Sequence, residues 1–372
     1  MEFVALVENM KKAFSYAERA LGKSSHLPIL GSFLVTVEKN RVTVQATNLE
    51  IGITTSFAAK TESEGTIAIP SKPLLAFLGQ INDAKITCVL DEKSMRMQTD
   101  SYKAQFQGQG ADDFPIIPKV SAANGFQTES AFFGHVFEQV VSSASVSDLR
   151  PELSSIFMNF QPGDGMICAA TDTFRLAEKT IPLSELRTKI DAPLSCLVPL
   201  RTAQEVIRIA KEKLEPVEIL IDENQIAFQW KETSMVSRLL EGEFPEYKAV
   251  IPKSFSTEAS VSRARLLEAI KVTGVFSSRL NDVKLKVTPK TKGVLLSAAD
   301  ASIGENEAQV QAESASGDEI DAVFNYRYLI DGITSLDAKD ALDIGFGGSD
   351  KPMLMRTHGD ASYLYILMPL RI

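Results

Sequence analysis

The chain has 372 residues, 44% of them hydrophobic and 23% charged, with a formal charge of -9 at neutral pH. This is globular composition with length for two or three domains, and the acidic balance argues against a tight, charge-driven nucleic-acid binder but says nothing about a local basic surface, so the placement of cations matters more than their sum. Cys88, Cys168 and Cys196 have no CxxC spacing and read as small core hydrophobes, with neither a disulfide framework nor a metal site.

The first residues, Met1-Glu2-Phe3-Val4-Ala5-Leu6, lack the basic start and continuous apolar run of a secretory signal, and no apolar run reaches membrane-spanning length. The chain reads as soluble and cytoplasmic, with no membrane partner. In chain order, Met10, Phe14, Ala17 and Leu21 form the apolar stripe of a first helix. Alternation at Phe33, Val35 and Val37, a turn at Asn40-Arg41, and renewed alternation at Val42, Val44 and Ala46 predict a hairpin. Ile67 to Pro70 leads a second helix over Ser71 to Gln80, strands follow from Lys85 to Gln107, and Ala111 to Pro115 is turn text.

The same order then returns twice. A helix carrying Phe133, Phe137, Val140 and Ala144 precedes strands at Ile156 to Phe160, and Leu197-Val198-Pro199 leads a helix over Arg201 to Lys213. In the third pass a helix runs from Arg263 to about Ser278, strands reach Ala312, Val323-Phe324-Asn325 leads a helix to about Leu336, and Tyr363 to Met368 is a last strand. Short echoes mark the register: Ala46-Thr47-Asn48-Leu49-Glu50, Ala170-Thr171-Asp172-Thr173-Phe174 and Ala298-Ala299-Asp300-Ala301-Ser302, with Glu243-Phe244-Pro245 repeating Asp113-Phe114-Pro115. The fold expected is α+β in three tandem domains, 1-121, 126-250 and 256-372, each long enough to build its own core.

Six helical segments together carry +7 against -9 for the chain, which leaves -16 for strands and connections. Basic helices and acidic strands suit a ring with helices lining the hole. In the helix from Arg201, the face opposite Ala203, Val206, Ile207, Ala210 and Leu214 carries Arg201, Gln204, Arg208 and Lys211. Such a stripe is also what a merely solvated face looks like. In the repeat register Lys72, Arg201 and Arg327 each stand at a helix start, where the macrodipole disfavours a cation, and a polyanion facing all three would account for that.

Catalytic constellations are scarce. His26, His135 and His358 have no second ligand-type residue at metal spacing and read as structural. Gly22-Lys23-Ser24 has Ala17 where a phosphate loop needs its first glycine, Gly345-Phe346-Gly347-Gly348 lacks the third glycine of a dinucleotide loop, and Asp112-Asp113 lies in a turn. No catalytic residue, metal or cofactor is expected, and the chain does not read as an enzyme.

Leu27-Pro28-Ile29-Leu30-Gly31, Ala170-Thr171-Asp172 with Arg175-Leu176, Phe244-Pro245 with Tyr247, and the ending Met368-Pro369-Leu370-Arg371-Ile372 resemble hallmarks of the bacterial DNA polymerase III β subunit, the sliding clamp, along the whole chain. The resemblance implies a head-to-tail homodimer whose six domains close into a ring around double-stranded DNA. The clamp would hold duplex without regard to sequence, through phosphate contacts. By this resemblance and the charge pattern, Lys12, Lys23, Lys72, Arg150, Arg201 and Lys211 are the DNA candidates, with Pro151 and Glu152 standing where relatives often have aromatic contacts. Ala104 and Phe106 would meet Val275 and Phe276 at the dimer interface, although a core position fits Phe106 and Phe276 equally.

The same resemblance implies a pocket for linear motifs of the replicative polymerase, the clamp loader, and repair polymerases or mismatch-repair proteins. It would comprise Leu153, Thr171, Thr173, Phe174, Arg175, Leu176, Pro245, Val250, Leu367, Met368, Pro369, Leu370 and Arg371, with Thr173 and Phe174 replacing the small residue and histidine common in the family. Two or three buried apolar anchors at roughly 1.5 to 3 kcal/mol each, less the ordering of the peptide, give about micromolar, exchangeable binding. A three-domain scaffold that binds peptides without encircling DNA is the alternative.

Overall fold

The computed structural model describes residues 2–22, 27–91, 93–120, 124–147, 149–188 and 190–371. Each repeat holds two helices: α1 (Val7–Glu18) and α2 (Ser71–Gln80), α3 (Ser130–Val141) and α4 (Leu200–Ala210), α5 (Arg263–Thr273) and α6 (Tyr326–Ser335). A short strand opens every repeat, Glu2–Leu6, Gly125–Thr128 and Thr257–Ser262, where the sequence pattern began with the helix. These strands are too brief for their alternation to stand out from the helical period that follows.

The helices bury the expected stripes. Met10, Phe14 and Ala17 are fully buried, with the Phe14 ring edge-on to Phe33 at 4.9 Å, and Phe133, Phe137 and Val140 do the same for α3. Helix ends differ from the periodicity. Leu21 lies beyond α1, and α4 stops at Ala210, so Leu214, expected on the buried face, is 94% exposed while Lys213 is buried. Past the last helical turn the 3.6-residue period no longer assigns faces.

Compactness follows the sheets rather than the repeats. One compact unit comprises Met1–Ala131, Arg187–Ile190 and Arg208–Leu239, so it joins the first repeat to three separate stretches of the second. It holds a five-stranded sheet ending in the edge strand Lys103–Gln107, and a nine-stranded sheet in the order Arg187–Thr188, Gly125–Thr128, Val217–Ile221, Gln225–Gln229, Thr233–Arg238, Ile51–Ala58, Arg41–Thr47, Ser32–Glu38, Gly65–Pro70. The repeats meet where Thr233–Arg238 pairs antiparallel with Ile51–Ala58, Gly52 opposite Val236.

The other unit comprises Phe132–Leu186, Asp191–Ile207 and Leu240–Ile372, and is built on one twelve-stranded antiparallel sheet. Its centre is the pairing of Arg175–Ile181 with the C-terminal strand Tyr363–Leu367, Leu176 opposite Ile366. Tyr363–Leu367 continues through Met353–Thr357, Ala341–Phe346 and Thr257–Ser262 to Gly304–Gly317. Continuing the backbone ladder across a repeat junction satisfies edge groups that a self-contained domain would leave open.

Candidate partner-binding pocket

Strands Gly165–Thr171 and Arg175–Ile181 are joined by a turn that closes its own hydrogen bonds. Asp172 Oδ1 accepts from the backbone N–H groups of Phe174 and Arg175, both at 3.0 Å, and Thr171 Oγ1 donates to the Arg175 carbonyl at 2.7 Å while accepting from the Thr173 N–H at 3.1 Å. The first repeat makes the same turn. Asn48 Oδ1 accepts from Glu50 and Ile51, Thr47 Oγ1 donates to the Ile51 carbonyl, and Leu49 has φ 78° where Thr173 has φ 77°. The echo in the sequence is therefore a turn requirement, Thr and Asx supplying local acceptors.

Thr173 is β-branched and sits in the left-handed region, a strained combination. Thr173→Gly is expected to stabilise the fold by about 0.5–1 kcal/mol, the relief of strain less the entropy of glycine. An unchanged or lower melting temperature would show that the threonine contacts outweigh the strain.

Arg175 ties the turn to α6. Its Nε donates to Asp172 Oδ2 at 2.9 Å, Nη1 donates to Asp331 Oδ2 at 2.5 Å, and the guanidinium lies 4.1 Å from the centroid of Tyr328. Burial works against its charge, but Tyr365, Asp331 and Asp172 more than offset this and hold its pKa above the ordinary arginine value. The facing wall is Pro245 to Val250. Phe244 stacks on Phe157 at 4.8 Å and meets Tyr247 edge-on at 5.7 Å. The Tyr247 hydroxyl and Lys248 Nζ both donate to Glu178 Oε2, the latter at 2.6 Å. Burial, reinforced by Glu178, raises the Tyr247 pKa and keeps its hydroxyl protonated.

The third wall is the C-terminal strand and the residues after it. The Met368 N–H donates to the Phe174 carbonyl at 2.8 Å, and the Leu370 N–H to the Val323 carbonyl at 2.7 Å. Together these walls enclose a pocket of about 210 Å³ lined by Thr171, Thr173, Arg175, Leu176, Pro245, Glu246, Tyr247, Val250, Ile366 and Met368.

Seven of the residues named from sequence line it. Six do not: Leu153 and Leu367 are buried in the core, Phe174 is exposed outside the lining, and Pro369, Leu370 and Arg371 lie beyond it. Alternation explains Leu367, since Ile366 is the residue that packs with Leu176 and Tyr247, and its neighbour points to the other face. Glu246, Tyr247 and Ile366 were missed. Tyr247, two residues after Pro245 in a stretch already singled out, was the one with a visible signal.

Lys12, Lys72, Arg150, Arg201 and Lys211 are all exposed, and Lys23 lies outside the described residues, as does His26. Lys72 and Arg201 are each the second residue of their helix, whereas Lys211 follows the end of α4. Arg150 is partly neutralised, its Nε donating to Glu152 Oε1 at 2.8 Å. Arg327 needs no polyanion to explain its place, because its Nε donates to Asn281 Oδ1 at 3.1 Å. His135 and His358 share hydrogen bonds with Asp337 and Asp343 at 2.7 and 2.8 Å.

Family models for the N-terminal, central and C-terminal domains of the DNA polymerase III β subunit match residues 1–118, 127–246 and 248–371. The chain belongs to this family. Relatives of the β-subunit family include the β sliding clamp of Synechococcus elongatus, 26% identical over 100% of both chains, and the β sliding clamp homolog GriR of Streptomyces muensis, 28% identical over 100% of this chain and 99% of that one. Among solved structures, the sliding clamp of Bacillus subtilis superposes with a TM-score of 0.94 at 22% identity, covering 100% of this chain and 99% of that one. The Pseudomonas aeruginosa clamp bound to griselimycin superposes with a TM-score of 0.93 at 20% identity, covering 100% of both. The three tandem clamp domains of the β-subunit fold are thus present here, helices packed on antiparallel sheets.

Proposed function

We propose that the protein is a sliding clamp that encircles duplex DNA and tethers the replicative polymerase and repair factors through the pocket of Thr171, Leu176, Tyr247 and Ile366. The observation that carries this is the match of all three β-subunit domains, in order, to nearly every residue of the chain. The sliding clamps among its relatives extend to the full length of both chains, which disfavours a peptide scaffold that never encloses DNA.

In this proposal the domains are 1-121, 126-250 and 256-372, the clamp acts as a non-catalytic processivity subunit in the cytoplasm, and two chains join head to tail. Two open strand edges support the joint. Among the described residues Lys103–Gln107 pairs only with Ser94–Gln98, and Glu305–Gln311 only with the strand Gly293–Asp300. Edge-to-edge pairing of one with the other in a second chain would satisfy both and, closed by twofold symmetry, leave none free to polymerise. Ala104 lies on the first edge, Val275 is 63% exposed, Phe276 is half-buried, and Phe106 is buried against Phe77 with ring centroids 5.6 Å apart. Phe106 thus supports its own core whether or not it also touches a partner chain.

The exposed Lys12, Lys72, Arg150, Arg201 and Lys211 would make phosphate contacts that hold duplex without reading bases. Retention on circular DNA after loading, and loss when that DNA is linearised, is the expected result. Equal retention on both forms, or a stable monomer in solution where the ring needs twice the chain mass, would overturn the proposal.

A further inference from the structure

A second cavity, of about 550 Å³, repeats the construction of the partner pocket at the junction of the first two repeats. The equivalence holds residue by residue. Thr47 and Leu49 occupy the places of Thr171 and Thr173 in the same hydrogen-bonded turn, Leu49 with the same left-handed backbone. Gly52 faces Val236 across the strand pair as Leu176 faces Ile366. The Arg238 N–H donates to the Glu50 carbonyl at 3.0 Å, as the Met368 N–H donates to the Phe174 carbonyl at 2.8 Å. Pro115 stands where Pro245 does, and Ile117 takes the place of Tyr247. Ile117 fills the space that Gly52 leaves, for a Cβ on Gly52 would lie 2.7 Å from Ile117 Cγ2.

What differs is the chemistry of the rim. Ile116 is 93% exposed and Leu49 48% exposed, two large aliphatic groups left in water beside one cavity. Arg238 replaces Met368 and Glu50 replaces Phe174, and among the described residues neither charged side chain has a hydrogen-bond or ion-pair partner. An unpaired guanidinium next to exposed aliphatic groups is complementary to an acid beside an aliphatic anchor, while the Glu50 carboxylate on the same rim selects against a second acid on its side.

We propose that this cavity is a second docking site for a linear peptide, one carrying an aliphatic anchor against Ile116 and Leu49 and an aspartate or glutamate for Arg238. It rests on the assignment of the Thr171–Met368 pocket as a peptide site, from which the construction is copied. It gives each chain two peptide sites of different preference, one with apolar walls and one whose rim carries the separate charges of Arg238 and Glu50.

The test uses the full chain and random linear peptides displayed as a library, with enriched peptides measured singly by fluorescence polarisation against Val250→Arg, Ile116→Arg and Arg238→Glu. Both Ile116 and Arg238 are exposed, so these variants should fold as the parent does, which melting curves verify. The expected result is a class of acidic-aliphatic peptides insensitive to Val250→Arg but weakened about tenfold or more by Ile116→Arg and Arg238→Glu. Exchanging their acid for lysine should restore binding to Arg238→Glu. If every enriched peptide responds to Val250→Arg alone, the second site is overturned while the first stands; if none responds to Val250→Arg, the first assignment fails independently. A change in mass in solution on Ile116→Arg, with peptide binding unaltered, would instead make the face a contact between copies of the chain and overturn the proposal.

Discussion

Arg175→Ala is expected to destabilise the fold by about 2–3 kcal/mol and to abolish measurable binding of a labelled peptide with leucine and phenylalanine anchors. The arginine side chain is 11% exposed and its partner Asp172 12%, so removal leaves a nearly buried carboxylate without its ion pair. Asp331 is 42% exposed and water can replace its share, which holds the figure below that of a fully buried pair. Asp172 also closes the turn, so the loss reaches the pocket wall through Thr173 and Phe174. Arg175→Lys should recover charge without the two-pronged geometry and regain only part of either effect. Urea melts and polarisation titrations read the two quantities separately. Native stability with lost binding would restrict Arg175 to peptide contact, and retained binding would remove it from the site.

Reversal of charge at Arg201 and Lys211 is expected to act on DNA alone. Both side chains are exposed, so stability should move by no more than about 0.5 kcal/mol. The slope of log affinity against log salt should become shallower by about 2, one phosphate contact per residue, and polymerase processivity on a primed circle should fall by about tenfold or more. Peptide binding should be unaffected. Unchanged salt dependence would return both residues to the solvated surface that such a stripe also resembles.

Much of this was legible in the sequence, for reasons that specific residues make clear. The Thr-Asx text at Thr47-Asn48 and Thr171-Asp172 was visible as an echo, and the structure gives its cause, a turn in which those side chains satisfy backbone groups two to four positions away. The stripes of α1 and α3 were readable because apolar residues three and four apart fall on one helix face. Legibility failed where the periodic element ended. Beyond Ala210 the buried group is the Lys213 ammonium, donating to Thr233 Oγ1 at 3.0 Å and lying 4.7 Å from the centroid of Tyr16, while Leu214 points to water. No composition rule places a lysine inside and a leucine outside; the hydroxyl of a strand, the aromatic face of Tyr16 on α1 and the Glu215 carboxylate at 3.5 Å do.

By itself, then, the sequence determined the three repeats, the helix pairs, the register that aligns Thr47 with Thr171 and Pro115 with Pro245, and the family. All depend on local periodicity or on side chains bonding to their own neighbourhood. Only the tertiary structure decided that the sheets cross the repeat boundaries, so that Ile51–Ala58 finds its partner in Thr233–Arg238 and Arg175–Ile181 in Tyr363–Leu367. Strand pairing is a contact between backbones far apart in sequence, and either strand could have ended its own domain. Because that pairing was chosen, Ile366 rather than Leu367 packs with Leu176, the chain end became a pocket wall, and a second cavity arose where the same pairing occurs again.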